Sequence, residues 1–130
     1  MPSRIEIRHA VVDAINTVAG IQCFYQQHIT DLADAMPCAV VAFDSIEVQE
    51  DMKGGRRYIG SMNILAFMSG FDDDIDPMVD QIIAATDLAI AAPSPLGTAW
   101  TLNSITYDHE IQPGTTGCTV NYSIWFTDDG

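Results

Sequence analysis

Hydrophobic residues near the start of the chain recur at intervals of three and four, which is the spacing of one face of an α-helix. Ser3 and Glu6 precede them in the pattern of a capping box, and Gly20 follows them at a position where glycine commonly ends a helix. The sequence therefore predicts a helix over residues 4–19. Its buried stripe is expected to comprise Ile7, Val11, Ala14, Ile15 and Val18.

A second helical stripe lies in the later half of the chain, and Asp76-Pro77 precedes it. Asp is a favoured N-cap residue, and Pro is tolerated at the first helical position because its missing N–H would have no partner there. We therefore expect a loop over residues 69–75 and a helix that begins at Pro77 and stops at the Pro- and Gly-containing segment 93–97. The predicted buried residues are Val79, Ile82, Ile83, Thr86 and Ile90.

The remaining apolar segments have the pattern or the length of β-strands. The clearest is 118–126, where apolar side chains occupy every second position and predict a half-buried strand that follows a turn. Residues 38–43 form an apolar run without alternation, which favours a strand covered on both faces. A strand over residues 100–111 should contain a β-bulge, because Leu102 and Ile105 fall on opposite parities.

A long hairpin with a polar tip is predicted between the apolar run and the second helix. Lys53 and the two glycines after it form a turn signal, because glycines adopt the positive φ angles that tight turns need. The turn would place Glu50 and Asp51 opposite the start of the return strand. Arg56 and Arg57 stand there, and opposite charges on paired strands stabilise the register by roughly 0.2–1 kcal/mol per pair.

With a further short strand over residues 21–25, the predicted order is helix, strand, strand, strand, helix, strand, strand. A chain of 130 residues fits one domain. The economical packing places both helices on one face of a mostly antiparallel sheet of four to five strands. We therefore predict an α+β fold in a single domain over residues 1–130, with one long β-hairpin arm.

The charge of the chain is strongly negative and unevenly distributed. The formal net charge is −13, and all five basic residues lie before residue 58. A surface of this sign repels phosphate backbones, so direct binding to nucleic acid is disfavoured. No apolar run approaches the ~20 residues that span a bilayer, and the N-terminus lacks the apolar region of a signal peptide. We expect synthesis in a cytoplasm and no membrane contact.

No motif in the sequence indicates catalysis. Cys23, Cys38 and Cys118 lack the short spacings of metal or redox sites, and we expect them to be buried free thiols. No serine or cysteine stands in a nucleophile elbow, and the Gly-rich segments fit no phosphate-binding loop. The sequence therefore predicts a protein that is not an enzyme and that carries no cofactor and no metal.

Two features are candidates for contacts with other molecules. Asp72, Asp73 and Asp74 concentrate carboxylates before the second helix, where the positive end of the helix dipole suits them; weak binding of Mg²⁺ or Ca²⁺ is the alternative. Trp125 falls on the strand face opposite the alternating apolar residues. It is either packed under a second layer or an exposed anchor of an interface.

Seven segments of the chain together carry a resemblance to a known family, through their order and length. They are residues 8–15, 36–41, 47–51, 59–67, the acidic loop and helix from Asp72, and residues 102–108 and 119–124. In this pattern the chain resembles the tail terminator proteins of long-tailed phages, the minor tail protein U-like family, across nearly its full length. The resemblance implies a structural virion protein, assembled in the host cytoplasm, that acts at the head–tail junction.

The resemblance also implies the assembly and its partners. Six copies would form a ring that caps the head-proximal end of the tail tube, stops tube polymerisation and provides the surface for head attachment. The partners would be the tail tube protein, a head-completion or connector protein and, for a contractile tail, a sheath protein. DNA would pass through the ring without specific binding.

A ring needs two different patches on each subunit, so that head-to-tail contacts can close. The basic part of the arm could meet a neighbour's carboxylates, and exposed strand edges offer pairing as a second route. The expected interface residues are Glu50, Asp51, Lys53, Arg56, Arg57, Asp72, Asp73, Asp74 and Trp125.

Two other interpretations stay open at this point. One is a head–tail connector or head-completion (neck) protein of similar build, one layer nearer the portal. The other is a small enzyme or ligand-binding domain, which would require a deep pocket with convergent polar groups and shifted pKa values.

Overall fold

The computed structural model describes residues 4–18, 20–25, 36–50, 56–90, 99–109 and 114–127. These residues form two helices and five strands, and they confirm the predicted α+β class with a mostly antiparallel sheet. In chain order the elements are α1 (Arg4–Asn16), β1 (Gln22–Tyr25), β2 (Cys38–Glu50), β3 (Arg56–Ser69), α2 (Asp72–Ile90), β4 (Ala99–Asp108) and β5 (Thr115–Thr127).

The five strands lie in one sheet in the order β1-β2-β3-β5-β4. β1 is parallel to β2, and each of the other three neighbouring pairs is antiparallel. Because three antiparallel steps separate β2 from β4, these two strands run in opposite directions. β1 pairs only with residues 38–41 of β2, whereas β3 and β5 pair along almost their whole length.

Both described helices cover the same face of the sheet, as predicted. The alternating residues of β5, from Cys118 to Phe126, are all buried beneath them, and so are Met62 and Ile64 of the neighbouring β3. In α1, Ile7, Val11 and Ile15 are buried as predicted and Val12 is buried as well, whereas the predicted Ala14 and Val18 are only half-buried. In α2 the predicted Ile83 is half-buried, and the buried residues are Ile75, Met78, Val79, Ile82, Thr86 and Ile90.

The first helix ends at Asn16, three residues before the predicted end at Ala19. The Asn16 side chain explains the difference, because its amide forms hydrogen bonds with both the backbone N–H and the backbone C=O of Cys23 on β1. The Cys23 N–H donates to Asn16 Oδ1 at 2.9 Å, and Asn16 Nδ2 donates to the Cys23 carbonyl at 3.3 Å. This pairing joins the end of α1 to the edge of the sheet.

The second helix begins at Asp72, so the predicted loop over residues 69–75 and the start at Pro77 are wrong. Asp74 Oδ2 accepts a hydrogen bond from the Phe71 N–H at 2.8 Å, which caps the helix one turn earlier. Ile75 is completely buried, so its packing stabilises this added turn. Gly70 precedes the cap with φ of +123°, and a Cβ there would collide with the Asp74 carboxylate.

The strands follow the sequence pattern closely. The register of β4 against β5 shifts between Leu102 and Ser104, which confirms the predicted bulge. Residues 38–41 of the apolar run 38–43 are buried, as predicted, whereas Ala42 and Phe43 are only half-buried. A second register shift, at Asp44 between Phe43 and Ser45, was not predicted.

The predicted start of the last strand is wrong, and three other predictions concern residues that the structure does not describe. β5 begins at Thr115, so residues 115–117 belong to the strand instead of to a turn. The predicted capping residue Ser3, the turn at 53–55 and the helix stop at 93–97 lie outside the described residues.

Candidate interaction surface

The face of the sheet opposite α1 and α2 is not covered by any described helix. Cys38 and Val40 are buried at one end of this open face, whereas Trp125 is 40% exposed at the other. Trp125 pairs with Ile59 on β3 and with Ala99 on β4, so the three lie in one row across the sheet. Of the two interpretations of Trp125, the exposed position agrees with the structure, and its role in an interface stays a prediction.

Next to Trp125, a ladder of amide and hydroxyl side chains crosses the open face from β4 to β3. Asn103 Nδ2 donates to Asn121 Oδ1 at 2.8 Å and to Ser123 Oγ at 2.7 Å. Asn121 Nδ2 continues the ladder to Ser61 Oγ at 2.9 Å and to Asn63 Oδ1 at 2.8 Å. Because these groups bind one another across three strands, they keep a polar surface ordered without a covering layer.

The acidic segment at the start of α2 is tied to the end of β4. His109 Nε2 lies 2.8 Å from Asp72 Oδ1, and the Tyr107 hydroxyl donates a hydrogen bond to Asp76 Oδ1. The rings of Tyr107 and His109 stack, with centroids 6.2 Å apart and planes 9° apart. The hydrogen bond to Asp76, together with burial and nearby carboxylates, raises the pKa of Tyr107 to about 12.

These contacts change the picture of the predicted acidic cluster. Asp72 pairs with a histidine of this chain and Asp74 caps its own helix, while Asp73 is exposed to solvent. Within the described ranges, no group of three or more His, Cys, Asp or Glu residues is placed to hold a metal ion. A contact of Asp72, Asp73 or Asp74 with another subunit stays a prediction.

The arm formed by β2 and β3 carries the other predicted interface residues. Glu50 pairs with Arg56 along the antiparallel backbones, as predicted, whereas Arg57 pairs with the neutral Gln49 and not with an acidic residue. The Arg57 side chain is exposed, and it lies on the open face with Gln49. Asp51, Lys53 and the side chains of Glu50 and Arg56 lie outside the described part of the chain.

The environment of three interior groups, Cys38, Cys118 and Tyr122, raises their pKa values and so favours their neutral forms. Burial raises the pKa of Cys38 from an ordinary value of 9.0 to about 11, and burial with the charges of Asp76 and Asp72 does the same for Cys118. Burial and a 2.9 Å hydrogen bond to Asp87 raise the pKa of Tyr122 strongly. A thiol with a raised pKa is protonated at neutral pH and is a weak nucleophile.

All three cysteines are buried and none forms a disulfide bond, as the sequence predicted. None of the helices in the described part of the chain is both long and apolar enough to cross a bilayer.

The sequence suggested that exposed strand edges could pair between subunits, but it did not indicate which strands form the margins of the sheet. β4 is the outermost strand on one side, and no described strand pairs with its outer edge. On the other side β1 covers only the first four residues of β2, which leaves Ala42–Glu50 without a described partner along that edge. The periodicity gave no signal for this, because hydrophobic spacing reports the faces of a strand and not its order in the sheet.

Comparisons with known proteins identify the fold. No protein-family model matches the sequence, and no curated protein does. A chain of the virion of a native gene transfer agent particle has a similar structure, with a TM-score of 0.57, 12% identity, and coverage of 93% of this chain and 94% of that one. The type 4 fimbrial biogenesis protein PilO from Pseudomonas aeruginosa gives 0.43 at 7% identity, covering 98% of this chain and 72% of that one. The fold of this chain is therefore one that a gene transfer agent virion also contains.

Proposed function

We propose that this chain is a structural, non-catalytic subunit of a phage-like virion, and that it acts there as a tail terminator. In this role copies of the chain form a ring, with six as the expected number, on the head-proximal end of the tail tube. The ring stops tube polymerisation and provides the surface to which the head attaches. Its site of action is the head–tail junction.

The observation that supports this proposal most strongly is the fold similarity to a chain of the gene transfer agent virion. It extends over 93% of this chain and 94% of the other, so the similarity covers nearly the whole length of both chains rather than one shared motif. The order of elements also resembles that of the tail terminators. Together, the two similarities favour a structural role at the head–tail junction of a virion over other functions of a small α+β domain.

A non-catalytic role agrees with the chemistry of the described residues. Cys38 and Cys118 are buried thiols with raised pKa values, which are poor nucleophiles. The ladder of polar side chains from Asn103 to Asn63 lies on the open face of the sheet, and its members form hydrogen bonds with one another. An arrangement of this kind suits contact with a protein surface better than binding of a small substrate.

The charge of the chain suits a ring through which DNA passes. With a net charge of −13, the subunit repels phosphate backbones and does not retain them. The exposed Arg57 on the arm offers a positive point for a neighbour's carboxylates within this otherwise acidic surface.

The direct test combines the oligomeric state with tube binding. Size-exclusion chromatography with light scattering, and class averages from electron microscopy, should show a ring, either alone or after addition of tube protein. Added to growing tubes, the protein should shorten them and co-sediment at one end. A protein that stays monomeric under every condition and does not bind tubes would contradict the proposal. Co-sedimentation with a portal adaptor instead of the tube would establish the neck protein as the correct assignment.

The arm is tested by reversing its charge. Arg56→Glu with Arg57→Glu should weaken the ring, because a neighbour's carboxylates would repel the reversed charges at the proposed contact. Arg57→Lys is the matched control, since it keeps the charge and should keep the assembly. Unchanged assembly of the reversed variant would remove these residues from the interface.

A further inference from the structure

Each margin strand of the sheet contains a β-bulge, but both margins lack two other features that commonly protect an edge strand, lysine and proline. Edge strands are commonly short, or they carry lysines or prolines that block pairing with another chain. β4 has ten residues, its first nine (99–107) are uncharged, and it contains neither lysine nor proline. The open part of β2 extends over nine residues, Ala42–Glu50, without lysine or proline. Among the described residues, each margin therefore presents a row of backbone N–H and C=O groups that no strand pairs with.

Exposed apolar side chains follow the same two margins. Val48 on β2 is 55% exposed and Ile105 on β4 is 43% exposed, although both point to the face that the helices cover. Large aliphatic side chains at this exposure gain free energy when a second surface covers them. If the sheets of two copies were continuous, Val48 of one copy and Ile105 of the next would lie on the same face of the joint.

The direction of the strands permits such a joint without turning a subunit over. β2 and β4 are antiparallel within one copy, because three antiparallel pairings separate them. Within one copy, Val48 is level with Phe126 and Ile105 is level with Val120, so a joint that places Val48 beside Ile105 offsets the next copy by six residues along the strands. Rotation about an axis tilted relative to the strands supplies such an offset, as in a barrel with staggered strands, and the β2 of the second copy then meets the first copy's β4 in antiparallel orientation. Repetition of that step is the heterologous contact that closes into a ring.

Charge decides which margins can meet. The open part of β2 carries Asp44 and Glu47, so pairing of two β2 strands would bring like charges together. Residues 99–107 of β4 are uncharged, so they can pair with the acidic β2 edge without like-charge repulsion. In a subunit with a net charge of −13, this neutral strand is the favourable place for contact between identical copies.

We propose that copies of this chain join edge to edge, with β4 of one copy paired antiparallel to the Ala42–Glu50 part of β2 in the next. The sheet then continues from subunit to subunit, and Val48 and Ile105 become covered at each joint. This inference rests on the proposed ring, and it assigns the contact to backbone pairing at the sheet margins in addition to the charged arm.

Disulfide trapping between copies tests the joint directly. Val48→Cys and Ile105→Cys are made in separate copies, and both sites are exposed, so the fold is expected to tolerate them. Mild oxidation should link the two variants only when they are mixed, and the native cysteines are buried and do not compete. Thr101→Cys is the matched control for Ile105→Cys, because Thr101 lies on β4 but on the open face of the sheet. It should form no disulfide with Val48→Cys.

Charge substitutions on β4 supply a second readout. Thr106→Glu places a carboxylate beside the acidic β2 edge and should raise the concentration needed for assembly several-fold, whereas Thr106→Lys should not. Gln81→Glu, on the exposed side of α2, adds the same charge away from both margins and should leave assembly unchanged.

The outcomes separate this inference from the proposed function. If rings form but no mixed link appears and Thr106→Glu assembles normally, the edge joint is wrong and the ring stands. Efficient linking of Ile105→Cys to itself would establish a symmetric pairing of two β4 strands and would also overturn the proposal. A chain that is monomeric under every condition would overturn both.

Discussion

Gly60 lies on β3 beneath two aromatic rings, and a side chain at this position would collide with them. A Cβ built on Gly60 would lie 2.6 Å from Phe43 Cε1, 3.0 Å from Phe43 Cδ1 and 3.3 Å from Phe126 Cε1. The Phe43 ring is itself held by Phe126, with centroids 6.3 Å apart, and by the Arg8 guanidinium, 5.9 Å from the ring centroid. Gly60→Ala therefore requires the Phe43 ring to move.

The cost of that movement can be worked out from the contacts. An aromatic pair contributes about 0.5–1.5 kcal/mol and an exposed cation–π contact about 0.5–1 kcal/mol, and forcing a methyl group into a packed site costs about 1–3 kcal/mol. Replacing Gly by Ala offsets about 0.4–1 kcal/mol, because it restricts the unfolded chain. Since Phe43 is partly exposed, its ring can relax, and we expect Gly60→Ala to lower the free energy of unfolding by about 1–2 kcal/mol.

Urea unfolding followed by tryptophan fluorescence measures this loss, and Phe43→Leu supplies the control. In the Phe43→Leu background, which lacks the aromatic side chain, the same Gly60→Ala substitution should be neutral or stabilising by about 0.5 kcal/mol. The difference between the two backgrounds is the coupling energy of the contact. A Gly60→Ala variant that is more stable than the parent, or an equal loss in both backgrounds, would refute the steric explanation.

Three further predictions concern the interior and the open face. The pKa of Cys38 and of Cys118 is about 11 in the folded protein, whereas the ordinary pKa of a thiol is 9.0. The free energy of unfolding should therefore fall as the pH rises from about 9 to about 11, because the unfolded thiols lose their protons first. In urea titrations the variant with both cysteines replaced by Ala should show a shallower fall. Tyr122→Phe removes the hydrogen bond to Asp87 and should cost about 1–2 kcal/mol at pH 7, measured by the shift of the urea midpoint. Asn121→Ala should cost about 1–3 kcal/mol in thermal unfolding, because its amide joins three strands.

Several features of the fold could be predicted from the sequence because neighbouring residues decide them. The alternation from Cys118 to Phe126 specified a strand with one buried face, and every alternate residue is buried. The parity change between Leu102 and Ile105 specified a bulge, since only an extra residue can return both side chains to the same face. The charge distribution and the absence of catalytic motifs likewise required no tertiary information.

Other features depended on residues that are distant in the chain. Asp76-Pro77 is a sound local signal for a helix start, but burial of Ile75 and the Asp74 cap outweigh it, and the helix begins at Asp72. The cost to the helix is one backbone hydrogen bond that Pro77 cannot donate.

The candidate surface was decided almost wholly by the tertiary structure. Tyr107 reaches Asp76 across 31 positions of sequence, and Asn121 reaches Asn63 across 58. Local spacing specifies which face of a strand is apolar, whereas strand order specifies which edge is left without a partner. The sequence by itself therefore determined the elements, their buried faces and the sign of the surface. Only the packing of β1 to β5 decided that β4 and the end of β2 are the two open margins, because that order depends on contacts between strands far apart in the chain.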